Sequence, residues 1–301
     1  MKYSKYLSDG HLAIFLLHGV HDGVETSVRN YNRKHIPANY FSEFLQDLSE
    51  NGGIPVSMDD VIKARQSESR LPPKAFAITF DDGFENNLTV AAPILSKHKI
   101  PATIYITTDF IESNRMSWID RIEFVVEQVE QANGSLPWGE FSFKTTKERR
   151  SFLEDIRHHL KSKKSIDGDL LATKIQNFLG FDEIWSSDHP LDRKMTWNQV
   201  RDLSSIPGMT IGGHTHTHAI MSYLDDTELK TEIDTSLSLI SKRCNYANIV
   251  HYAYPEGLAH HYNEKVIETL KSRGIQCCPS AIHGVNAADT DLFNLRRVMT
   301  V

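Results

Sequence analysis

Two short stretches of this sequence hold residue types that can do chemistry together: Asp81-Asp82-Gly83 and His214-Thr215-His216-Thr217-His218. Adjacent carboxylates repel each other, and a bound cation or a shared proton offsets that repulsion. A plain turn also accounts for an Asp-Asp-Gly triplet, because Asp and Gly are common turn residues. Position favours chemistry: the triplet ends the apolar run 75–80, and α/β folds gather reactive groups at the carboxyl ends of their strands. Three alternating histidines after Gly212-Gly213 do not suit a merely solvated face. Imidazole is the commonest protein ligand for zinc-like ions, so this segment points to metal binding. Spacing leaves open which histidines share an ion. In an extended segment His214 and His218 stand ~13 Å apart, and His216 pairs with one of them. In a helically turned segment the outer two are neighbours about 6 Å apart, with His216 on another side.

The elements that must position these groups alternate along the chain. His11 to Leu17 reads as a buried strand, and Phe41, Phe44, Leu45 and Leu48 mark a helix over 40–51 that stops at Gly52-Gly53. Ser57 is the N-cap expected for a helix over 58–66, with Asp59 and Asp60 in its first turn. The run 75–80 suits a parallel strand buried on both faces. A helix over 86–98 and a strand over 102–107 follow; a helix over 197–203, capped by Thr196, then leads to a strand over 208–212. Beyond them come a helix at 226–243, a strand at 249–254, a helix at 263–273, a strand at 275–279 and a last strand at 293–299. Repeated strand–helix–strand units predict a parallel sheet, open or closed into a barrel. Between 112 and 195 the rhythm changes to helices, expected at 118–132, 146–162 and 168–179, with the polar stretch 161–168 among them. This reads as a helical insertion on the carboxyl side of the sheet, within one domain spanning 1–301.

Composition narrows the function classes. With 301 residues, 40% of them apolar, the chain can bury a full core. A net charge of −6 argues against a nucleic-acid partner, which favours a basic face. The first apolar stretch, 12–17, is too short for a membrane span and lacks a following small-residue cleavage site, so the expectation is a cytoplasmic protein with no membrane span. Cys244, Cys277 and Cys278 form no even framework and read as reduced thiols.

The motifs resemble the polysaccharide deacetylase family, carbohydrate esterase family 4. Thr79-Phe80-Asp81-Asp82-Gly83 matches its first motif, and His214-Thr215-His216-Thr217-His218 its second, His-(Ser/Thr)-x-x-His. Ala253-Tyr254-Pro255-Glu256-Gly257 resembles a form of the third, and Pro101 to Tyr105 and Met195-Thr196-Trp197 match supporting segments. The resemblance implies a distorted (β/α) barrel and one divalent metal ion held by Asp82, His214 and His218, with Asp81 as general base. Zinc is the expected metal; two histidines and one carboxylate with open positions also suit iron, cobalt or nickel. The implied reaction removes an N-acetyl or similar short acyl group from an amino sugar of a glycan or glycan precursor.

Two departures from the family pattern stand out. The frequent C-terminal Leu-x-His motif, which supplies the acid, is absent near 292–301. The resemblance makes His18 the expected acid, because Leu16-Leu17-His18-Gly19-Val20 resembles an early His-x-Val motif of other members; His283 is the rival, and a strand-end histidine bonded to a neighbouring loop is the plainer reading. The third motif also lacks the Arg that orients the base, and Arg297 is the expected substitute, against the simpler reading of a surface ion pair. These gaps motivate one alternative, a non-catalytic carbohydrate-binding protein on the same fold; a second, a hydrolase of a non-sugar amide, stands because nothing in the motifs names the substrate. Trp118 and Trp197 head helices with apolar periodicity; core packing suits Trp197, and Trp118 stays open between core packing and stacking on a sugar. Glu256 stands where an aromatic or amide residue is more usual.

Overall fold

The computed structural model describes residues 3–66, 70–162, 166–245 and 249–300. Four parallel strands form its centre: β1 (His11–Leu17), β2 (Ala75–Asp82), β3 (Ala102–Ile106) and β4 (Met209–Gly213). Every residue of β2 is buried, as its unbroken apolar run requires of a strand covered on both faces. Parallel register brings the strand ends level: Leu17 lies opposite Phe80, Asp82 opposite Ile106, and Ile106 opposite Gly213. The residues that leave these strands, His18, Asp81-Asp82 and His214, therefore emerge together at one end.

Beyond β4 the backbone continues round as isolated bridges, with Gly213 bridged to Tyr252 and His251 to Cys277. Ser280 N–H donates to the Leu295 carbonyl, and Arg297 N–H to that of Ile282. Val298–Met299 then pairs in parallel with Phe15 and Leu16 of β1, which completes a distorted (β/α) barrel. The strands expected over 249–254, 275–279 and 293–299 are thus reduced to bridges and a two-residue strand. Pro255 and Pro279 lack the N–H that a regular ladder needs.

Helices pack around the barrel much as the periodicity predicts. Helix α1 (Ala38–Glu50) buries Phe41, Phe44, Leu45 and Leu48. The helix Met58–Gln66 starts at Ser57, whose Oγ accepts from Asp60 N–H at 3.1 Å. Thr196 caps Trp197–Ser204 through a reciprocal bond pair with Gln199. The expected helix 86–98 opens instead as a π turn, Asn87–Ala91, and becomes α-helical over Ala92–His98. Pro93, at the junction, cannot donate to the carbonyl four residues back.

The insertion forms α2 (Trp118–Gln128), α3 (Thr146–Ser162) and α4 (Gly168–Phe178). Helix α2 ends at Gln128, short of the expected 132, because Ala132–Leu136 and Gly139–Phe143 make an antiparallel hairpin. The alternating Phe141 and Phe143 pack on Phe152 of α3 and favour strand there. Ile122, Val126, Leu153, Ile156 and Ala172 give the insertion a buried cluster of its own. In the polar stretch 161–168, residues 163–165 lie outside the described residues. Cys277 and Cys278 are buried free thiols, and Cys244 is half-buried. No helix among the described residues is long and apolar enough to cross a membrane.

Candidate active site

Asp81 and Asp82 differ in their main partners, although both approach His214, whose Nε2 lies 3.9 Å from Asp81 Oδ2 and 3.8 Å from Asp82 Oδ1. Asp81 is buried, and Arg297 grips it with two parallel bonds, Nη1 to Oδ1 and Nη2 to Oδ2, both 2.8 Å. Arg297 is itself fully buried, so it is not a surface ion pair, and its Nε donates to the Ser280 carbonyl at 2.7 Å. Burial pushes the Asp81 carboxyl up, but Arg297 and then His214 outweigh it and hold the group below its ordinary range. Asp82 takes a left-handed backbone, φ 75°. Gly83 follows at φ 80°, where an added Cβ would meet Ile106 and Ile111 at 3.0 Å. Its neighbour's Oδ1 is buried with no hydrogen-bond partner.

That oxygen faces two imidazoles, His214 Nε2 at 3.8 Å and His218 Nε2 at 3.4 Å. His214 Nδ1 lies 2.9 Å from the Ala253 carbonyl, which can only accept. The proton therefore sits on Nδ1, and the Nε2 lone pair is free for a metal. The segment turns, bringing the His214 and His218 rings to 5.0 Å, through left-handed residues at Thr215 (φ 62°) and His218 (φ 64°) rather than through a helix. Gly213 is needed at the strand exit, since a Cβ there would sit 2.4 Å from the Tyr252 ring. His216 points elsewhere, its Nδ1 2.9 Å from Thr108 Oγ1.

One donor atom from each of Asp82, His214 and His218 falls within a sphere of contact in which all lie no more than 4.8 Å apart. A free imidazole nitrogen on each histidine and an orphaned carboxylate oxygen make a donor set that fits a divalent cation. Glu232, on the helix α5 (Asp226–Cys244), fastens the loop between the histidines. Its Oε2 accepts from His216 and Thr217 N–H, both at 2.9 Å, and its Oε1 from Thr217 Oγ1 at 2.8 Å.

His18, Asp81, Asp82, His214 and His218 all line one cavity. Burial, the largest influence on His18, lowers its pKa to about 4 against the upward pull of Asp82. His283 lies outside this cavity, sharing a 3.3 Å hydrogen bond with the Tyr6 hydroxyl. The insertion supplies one wall through Trp118, Arg157 and Lys161. Trp197 instead packs against the main core. Glu256 faces the cavity and pairs with Lys161 at 2.5 Å, so it bridges the barrel to the insertion. Lys34 was not expected here at all: its Nζ lies 3.2 Å from Asp82 Oδ2 and 3.1 Å from Asp120 Oδ1.

Comparison with known proteins agrees with this arrangement, for a family model described as polysaccharide deacetylase matches residues 68–278. The chain belongs to the polysaccharide deacetylase family. It also resembles a poly-beta-1,6-N-acetyl-D-glucosamine N-deacetylase of Escherichia coli K12, 42% identical over 55 residues. Those residues are 18% of this chain and 8% of the relative, so the chain spans a small part of that protein's length. Among solved structures, Streptococcus pyogenes deacetylase PplD, in complex with acetate, shares the fold with a TM-score of 0.63 and 17% identity, covering 98% of this chain and 94% of that one. IcaB from Ammonifex degensii does so with a TM-score of 0.61 and 15% identity, over 98% and 94% of the two chains. Each likeness covers 98% of this chain, so the shared fold takes in the insertion as well.

Proposed function

We propose that this chain is a metal-dependent hydrolase that removes an N-acetyl group from an amino sugar of a glycan or glycan precursor. The observation that carries this reading is the division of labour between adjacent carboxylates, one locked to Arg297 and one facing two histidines, in a single cavity. A divalent ion held by Asp82, His214 and His218, with zinc the first expectation, would polarise the acyl carbonyl and acidify the attacking water. Asp81 takes a proton from that water at a carboxylate oxygen as the water attacks. Arg297 keeps Asp81 ionised and fixes its orientation. His18 delivers a proton to the leaving nitrogen. Its low pKa keeps the ring neutral between turnovers, so the proton that Asp81 took from water passes on to His18, which gives it to the nitrogen as the C–N bond breaks. The insertion and barrel act as one catalytic domain, because the cavity needs residues from both.

The carbohydrate-binder alternative drew on the missing third-motif Arg. With Arg297 bidentate on Asp81, a guanidinium stands beside the base after all, and a pure binder has no need of one. Acetate released from a chitooligosaccharide tests the proposal directly. The expectation is turnover that a chelator abolishes and added zinc restores; no turnover on any acylated sugar would sink it. In the same assay His18→Ala should lose about 10²–10⁴-fold on the amide. It should lose far less on 4-nitrophenyl acetate, whose leaving group needs no proton. His283→Ala should match wild type on both.

Glu232 offers an independent check on the loop. Glu232→Ala leaves every cavity residue in place but frees three donors of the histidine loop. Zinc affinity, read by competition with a chelator, is expected to fall about 10-fold, as losses of groups that support metal ligands do. Unchanged affinity would mean that the loop holds its shape without this clamp.

A further inference from the structure

We infer that Lys34 and Asp120 are positioning residues of the metal centre, a buried charge pair that orients Asp82 while cancelling the lysine's own repulsion of the ion. This rests on Asp82 being a ligand, as proposed above. Lys34 Nζ donates towards Asp82 Oδ2 at 3.2 Å, and the opposite oxygen, Oδ1, is the one left without a partner and turned to the histidines. The lysine thus occupies one carboxylate oxygen and leaves the other for a cation. An ammonium here also opposes that cation, since like charges a few ångströms apart in a buried site repel strongly.

Asp120 removes the conflict. It accepts from Lys34 with both oxygens, at 3.1 and 3.2 Å. Its own position is set by Ser117, whose Oγ donates to Asp120 Oδ2 at 2.8 Å, and by Lys194 Nζ, 3.8 Å away. Asp82, Lys34, Asp120 and Lys194 therefore form a buried row of alternating sign that runs from the barrel into the insertion. A row of this kind is costly to bury and strongly interdependent, because removing one member leaves its neighbour uncompensated. The insertion contributes more than a wall to the cavity: helix α2 supplies the counter-charge that lets a lysine sit beside a metal ligand.

The test is zinc affinity of the metal-stripped full chain, measured by chelator competition, for Asp120→Asn, Lys34→Met, their combination and Asp82→Asn. Asp120→Asn strands the lysine's charge next to Asp82 and is expected to weaken zinc binding about 10–100-fold. Adding Lys34→Met to it removes that charge, and the double variant should recover most of the loss. A purely structural role predicts the reverse, with the double variant worse than either single one. Wild-type affinity in Asp120→Asn, or a double variant that binds no tighter than Asp120→Asn, overturns the inference. If Asp120→Asn alone does not fold, the double variant is compared with wild type, and a loss beyond about 100-fold overturns it instead. Asp82→Asn separates the two layers: wild-type zinc binding in that variant would remove the ligand assignment itself.

Discussion

Replacing Asp81 by asparagine is expected to lower kcat by about 10²–10⁴-fold while leaving zinc affinity close to wild type. The side chain keeps its shape and its place at the end of β2, so the cavity is preserved. What it loses is the acceptor for the proton of the attacking water. The amide N–H₂ also meets one of the two Arg297 N–H groups, 2.8 Å from the oxygen it replaces, so one bond of the grip is lost as well. Asp82 is untouched, because its carboxylate meets Lys34 and the histidines and not Arg297. The measurement is steady-state deacetylation beside a zinc titration of the same protein. Wild-type kcat would remove Asp81 from the role of base. Loss of zinc binding with loss of activity would show that both carboxylates contact the ion.

Local signals carried the frame of this fold, and they did so where burial is decided by neighbours in sequence. The apolar run of β2 and the i, i+3, i+4, i+7 stripe of α1 report on faces that each element must cover, and both elements formed as expected. The second half of the barrel was harder to read, because prolines at 255 and 279 broke its strands into bridges that no ladder pattern marks. Phe141 and Phe143 did alternate, with Pro137 and Gly139 beside them, yet the stretch lay against a helix whose end carried no stop residue. The candidate site divides in the same way. Asp81, Asp82 and the histidines could be picked out by residue type, but spacing did not choose between an extended and a turned loop. The choice depends on left-handed backbone at Thr215 and His218, a conformation that neither residue type announces. Lys34, Asp120 and Glu232 look like ordinary surface charges along the chain. Their meaning lies in pairings 86 positions apart for Lys34 with Asp120 and 16 for Glu232 with His216, and only the fold creates those.

Arg297→Met is expected to cost about 3–5 kcal/mol of stability at neutral pH, since it leaves a buried carboxylate without its counter-charge. Methionine fills much of the arginine stem but offers no donor to Asp81, Thr79 or the Ser280 carbonyl. The pH dependence gives the loss its signature. In wild type the folded-state pKa of Asp81 lies below its ordinary value, so the pair stabilises the fold above the unfolded pKa and that stabilisation fades as pH falls through the folded one. In the variant only burial and weaker neighbours act on Asp81, its pKa rises, and acidification relieves the strain by protonating it. The gap in unfolding free energy between the two metal-stripped proteins should therefore be widest near neutrality and narrow as pH drops through the carboxylate range. A gap that stays constant with pH would mean that packing alone accounts for Arg297. Arg297→Lys should recover only part of the stability, because an ammonium cannot make the two parallel bonds that a guanidinium makes. Activity should follow the same order, wild type above lysine above methionine. The charge that holds Asp81 in the core is also the charge that keeps it ionised, as the proposed base must be.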